Sequence, residues 1–139
     1  MKVHVVYDHR QDEPGTENAV AVHAAGLDDV CRPREASRTA IAHNKFIVRS
    51  RGGQPEAVLT GSTNFSEGGL FGHANVVHVV EDPGVAATYL EYRQLIDQDL
   101  ENARLRPPVT DLVTLPPGGP RKGTTAVFSS RRTTDALTW

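Results

Sequence analysis

Short apolar runs separated by polar, glycine-rich or proline-rich connections make up most of this chain. KVHVVY at residues 2–7 is β-rich, and its adjacent valines favour a strand buried on both faces. Residues 8–15 are polar and contain a Pro and a Gly, the composition of a loop. Thr16 is placed to cap a short helix over 17–25, which Gly26 ends. LDDVC at 27–31 reads as a short strand, and the β-loop-α-β order predicts an α/β unit with parallel strands. Residues 31–39 are charged and turn-like. Strands are then expected over 40–48 and 57–60, joined through RSRGGQP by a hairpin turning at Gly52 and Gly53, so the two should pair antiparallel. A glycine-rich turn or short helix at 64–70 precedes another buried strand, NVVHVV, at 75–80.

The clearest helix start follows. Asp82 suits the N-cap and Pro83 the first helical position. Val85, Tyr89, Tyr92, Ile96 and Leu100 recur at spacings of three or four, predicting a helix from 83 to about 103. Residues 106–123 hold five Pro and three Gly and read as a linker or extended strap. TTAVF at 124–128 then reads as a strand, and SSRRTTDALTW as the start of a new unit. These last elements either return to the first sheet or belong to another lobe. No internal repeat is visible.

Length and charge narrow the picture without choosing a function. With 139 residues the chain holds one domain at most, and its net charge of −2 gives no global field for nucleic acid. The single cysteine, Cys31, excludes an internal disulfide framework. No run of 18 apolar residues marks a membrane span, and MKVHVVYDHR lacks the apolar centre of a signal peptide. A cytoplasmic location is the expectation.

The chemistry concentrates in residues 41–64. His43 and Lys45 lie two apart in an apolar run and should share one face of an extended strand, with Asn44 and Phe46 on the other. A His and a Lys side by side in such a run are costly without an anion to meet them. Gly-Ser-Thr-Asn at 61–64 ends the next strand and adds the Ser62 hydroxyl and the Asn64 amide, both able to bond phosphoryl oxygens or orient an imidazole nitrogen. A deprotonated imidazole can attack phosphorus, and a protonated one can act as general acid. One His cannot do both at once, so the chemistry asks for a second copy of the motif.

These residues resemble the signature of the phospholipase D superfamily, H-x-K-x4-D followed by G-S-x-N. The likeness runs through HNKFIV at 43–48, VLTGSTNFSEGG at 58–69 and FGHANVVHVVED at 71–82, into a helix carrying Tyr89. It covers most of residues 1–105. It implies a phospholipase D-like α/β fold, a mixed sheet flanked by helices, and phosphodiester hydrolysis or phosphatidyl-type transfer through a phosphohistidine. His43 would be nucleophile or acid, and Lys45 and Asn64 would hold phosphoryl oxygens, with Ser62 in support. A second motif's His would protonate the leaving group and activate water or an alcohol. No metal or cofactor is required by this route.

Two positions depart from the signature. Ser50 stands where the motif's Asp belongs, removing a charge, although relatives resembling tyrosyl-DNA phosphodiesterases also dispense with it. The acidic residue expected near Ala74 is missing, and Glu67 reads as a surface residue. FSSR at 128–131 resembles the F-S-P-R opening of a second lobe, with Ser130 in the Pro place. The expected organisation is therefore one lobe over 1–105, a linker over 106–123 and the start of a second lobe over 124–139, a slice of a two-motif protein. The second His would come from that other lobe or from a homodimer partner. The substrate would be a phosphodiester, lipid or nucleic acid. The alternative is a non-catalytic lobe that binds an anion or a partner protein through a hydrophobic face.

Other residues invite chemistry less strongly. Asp8 and His9 follow a strand but have no third ligand at a metal-binding spacing. His73, in a glycine-rich loop, is a candidate for lining the pocket, and Arg49 and Arg51 for flanking an entering phosphodiester. Lys122, Arg121, Arg131 and Arg132 could guide a polyanion, yet no aromatics are interleaved for base stacking. His4 and His23 read as structural or surface residues.

Overall fold

The computed structural model describes residues 2–9, 15–36, 43–119 and 122–137. It is a mixed α/β structure with small sheets and packed helices. β1 (Val5–Asp8) leads through α1 (Gly15–Ala24) and one turn of 3-10 helix to β2 (Cys31–Arg34). β1 and β2 pair in parallel, with Val5 opposite Cys31, so the first third of the chain is the expected β-α-β unit. The second strand begins at Cys31 because Asp28–Val30 is 3-10 helix, displacing the strand expected over 27–31.

β3 (Phe46–Arg51), β4 (Gln54–Gly61) and β5 (Val77–Val80) form a separate antiparallel sheet in that order. The β3–β4 turn is Gly52-Gly53, with φ of 57° and 83°. Both residues occupy the left-handed region that a two-residue hairpin demands and that glycine alone enters without steric cost. The expected strand over 40–48 therefore starts late, at Phe46, and its residues 40–42 lie outside the described residues. So do 10–14 of the expected first loop, 37–39 of the charged segment, 120 and 121 of the Pro/Gly-rich stretch, and the last two residues.

The register gives this sheet two unlike faces. Phe46 pairs with Thr60 and Val48 with Val58, while Thr60 pairs with His78 and Val58 with Val80. These residues share the face that α2 (Pro83–Asp97) covers. α2 begins as expected: the Asp82 carboxylate accepts the Val85 N–H at 2.9 Å, and Pro83 needs no N–H bond at the first position. Its buried residues, Ala86, Tyr92 and Ile96, trace one stripe. The other sheet face carries Ile47, Leu59, Val77 and Val79; Ile47, Val77 and Val79 are each about half exposed or more.

The helix expected to reach residue 103 ends at Asp97. The chain turns through Asp99, at φ 49°, and starts again as α3 (Asn102–Leu112). The Asp99 carboxylate explains part of this break. It accepts the N–H groups of Glu35 at 3.0 Å and Ala36 at 3.2 Å, tying the end of β2 to the helix junction. α3 runs into the stretch expected to be extended, with Pro107 and Pro108 inside it. Leu105 and Val109, four apart, are both buried there. Residues 124–128 form no strand; instead Phe128 returns to the core with Tyr92, Ile96, Leu105 and Val109. Its ring stacks on Tyr92 at 4.2 Å and meets Tyr89 edge-on at 4.8 Å.

Candidate functional site

One end of the three-stranded sheet gathers most of the candidate chemistry. β3 starts there, β4 finishes there and β5 starts there, because both pairings are antiparallel. His43 and Lys45 immediately precede β3. Ser62 and Asn64 immediately follow β4, and His73 and Asn75 precede β5. The register that sets Phe46 opposite Thr60, continued by one step, brings Lys45 beside Gly61.

Asn44 and Phe46 both meet Tyr92 of α2: the Asn44 Nδ2 donates to the Tyr92 hydroxyl at 2.8 Å, and the Phe46 ring lies 5.9 Å from the Tyr92 ring. Asn44 and Phe46 thus share the α2 side, the two-residue spacing of an extended segment, which would set His43 and Lys45 opposite. His43 is exposed and Lys45 half-buried. The Lys45 ammonium donates to the His43 carbonyl at 3.0 Å, and its own carbonyl accepts the Thr60 hydroxyl at 3.3 Å. Burial pushes the Lys45 pKa below the ordinary lysine value, because removing an ammonium from water disfavours its charged form. An anion arriving beside it would offset that cost.

The Ser62 hydroxyl is committed to its own loop. It accepts the Val76 N–H at 3.0 Å and faces the Asn75 Oδ1 at 3.4 Å, while the Ser62 N–H donates to the Val76 carbonyl at 2.9 Å. Asn75 extends the brace by donating from Nδ2 to the Gly69 carbonyl at 2.8 Å. Glycine is required at two points. A Cβ on Gly61 would collide with the Val76 carbonyl, and one on Gly69 with the Asn64 carbonyl. Asn64 is exposed, and its backbone is fixed by this close approach of Gly69 in the π-helical turn Gly68–Gly72. The His73 N–H donates to the Gly68 carbonyl at 2.9 Å, closing the same turn. The bracing role of Asn75 depends on the folded loop and has no local signal in the sequence.

Arg49 is not brought to this end. It lies three residues into β3, toward the hairpin, with its guanidinium 3.4 Å from Glu56 and 3.6 Å from Glu81. Arg51 is likewise 3.5 Å from Glu56. Both arginines are paired at the surface with carboxylates, Glu56 of β4 and, for Arg49, Glu81 just after β5. Ser50 sits at a register shift in β3 between Arg49 and Arg51. Arg131 is also engaged, with Asp135 at 3.0 Å and the Val113 carbonyl at 3.1 Å. Among the described residues no group of three or more His, Cys, Asp and Glu is arranged to hold a metal ion, and no helix is long and apolar enough to cross a membrane.

Comparison of the chain with protein-family models, with curated proteins and with solved structures finds no match.

Proposed function

We propose that this chain carries one half of a phospholipase D-like phosphodiester-cleaving site. The observation that carries the reading is the grouping of His43, Lys45, Ser62 and Asn64 at a single sheet end. In the proposed reaction the His43 imidazole attacks phosphorus and the ester oxygen leaves with a proton from a second imidazole. The phosphohistidine is then released by water or an alcohol that the second imidazole activates. Lys45 and the Asn64 amide hold the phosphoryl oxygens, where charge grows in the transition state. Ser62 serves by fixing the loop that presents Asn64. The second imidazole comes from another lobe or from a second copy of the chain. No metal enters this route.

The test uses bis(p-nitrophenyl) phosphate as a soluble diester. Where a second copy supplies the second imidazole, the intact chain should turn this diester over and form an acid-labile phosphoryl adduct; where another lobe supplies it, the activated diester should leave the adduct alone; His43→Ala should remove either signal. Turnover unchanged in His43→Ala would overturn the assignment.

A further inference from the structure

Residues 43–45 lie just outside the sheet, and the first ladder partners in β3 are Phe46 and Thr60. Something else must therefore hold the His-Asn-Lys segment if His43 and Lys45 are to present a fixed geometry. We propose that Tyr92 is that holder, a positioning residue that sets the orientation of His43 and Lys45 through the side chain of Asn44. This inference rests on the phosphodiesterase reading for its functional consequence, though not for its geometry.

The phenol is unusually well placed for the task. Tyr92 is 3% exposed and lies on the stripe of α2 that faces the sheet. Its ring is stacked on Phe128 at 4.2 Å with 20° between planes. Its hydroxyl donates to the Ser129 carbonyl at 2.7 Å, which fixes where the proton points and leaves an oxygen lone pair for Asn44. Asn44 donates into it at 2.8 Å. Burial pushes the Tyr92 phenol above the ordinary tyrosine value, so the group stays protonated and keeps its donation to Ser129 at neutral pH.

The consequence for His43 and Lys45 follows from strand alternation. With Asn44 and Phe46 both held on the α2 side by the same tyrosine, the residues on either side of Asn44 are forced to the other face. A second and longer contact works in the same sense: Thr60 donates to the Lys45 carbonyl, and the Tyr89 hydroxyl reaches Thr60 at 3.5 Å. Tyr92 makes the shorter and more buried of the two connections. Removing its oxygen would free the Asn44 amide and allow the segment to rotate, and misplacement by about 1 Å is enough to cost up to about 100-fold in rate.

The experiment compares Tyr92→Phe, Asn44→Ala and the double variant with the wild-type chain. Two readouts are used: bis(p-nitrophenyl) phosphate hydrolysis, and the NMR titration and line positions of the His43 ring. Leu105→Ala serves as a control that loosens the same core without touching the hydroxyl. Expected results are a fall in kcat of about 10- to 100-fold with a smaller change in KM, a displaced His43 resonance in both single variants, and no further loss in the double variant. The control should leave the His43 resonance in place. A folded Tyr92→Phe chain with wild-type kcat and an unmoved His43 resonance would overturn the proposal, as would single-variant losses that multiply in the double variant. Should Tyr92→Phe fail to fold, Asn44→Ala, at an exposed position, decides by the same readouts. A wild-type chain without turnover or adduct whose His43 resonance still moves in Tyr92→Phe would count against the phosphodiesterase reading and keep Tyr92 as the holder.

Discussion

Lys45 carries its charge in a half-buried place, and that fixes a direction of pH dependence. Its folded pKa lies below the ordinary value because of burial. Between the folded and unfolded values the unfolded chain holds more protons at this site, so the cost of burying the ammonium is relieved and stability rises as pH rises through that window. The same loss of charge works against anion capture. On the proposed reading, phosphate binding supported by the ammonium should be present below the folded pKa and decline as pH rises through it, earlier than for a lysine in water. Titrating inorganic phosphate into the chain across alkaline pH should reveal this limb. Lys45→Arg should flatten it, because a guanidinium keeps its charge throughout; an identical limb in that variant would remove Lys45 from the anion site. At this scale the sequence is informative about residue type and weak about partnership. His43, Lys45, Ser62 and Asn64 stand out by kind and spacing. The engagement of Ser62 with Val76, the Asn44–Tyr92 bond and the pairing of Arg49 with Glu56 and Glu81 involve residues 14, 48, 7 and 32 positions apart, and no local pattern encodes them.

The elements show the same division for a different physical reason. α2 is legible because its signals are local: an Asp cap, a Pro at the first position and an apolar stripe at helical spacing. The β3–β4 hairpin is legible because two adjacent glycines name its turn. α3 is hidden because Pro107 and Pro108 lack N–H groups to donate to the carbonyls of Ala103 and Arg104, a feature that ordinarily argues against a helix. Tertiary burial overrides that preference. Leu105 is 4% exposed and Val109 wholly buried, and both pack with Tyr92, Ile96 and Phe128. If packing is what holds α3, deleting part of it should be costly. Leu105→Ala is expected to lower the free energy of unfolding by about 2–5 kcal/mol, measured by urea denaturation, with the helical circular dichroism signal falling in the same transition. A loss well under 1 kcal/mol would mean that α3 draws its stability from elsewhere.

At the scale of the whole molecule the proposed reaction asks where a second imidazole would arise, and counting chains can answer it. When wild-type and His43→Ala chains are denatured together in equal amounts and refolded, random pairing leaves about a quarter of dimers with two His43 side chains. If catalysis needs one His43 from each of two copies, turnover at fixed total protein should fall to about a quarter of the wild-type value. A site complete within one chain gives about half, and one that needs a different lobe gives no turnover from either chain. Dilution separates the cases again, since turnover per chain falls below the dimer dissociation constant only when two copies build the site. A half-value with no dilution effect would exclude the two-copy arrangement and shift attention to His73, which precedes β5 at the same end of the sheet as His43. His73→Ala would then be expected to slow leaving-group departure while allowing the phosphoryl adduct to form from an activated diester. Adduct yield and steady-state turnover, measured side by side, check this: His73→Ala leaving both unchanged would remove His73 from the reaction.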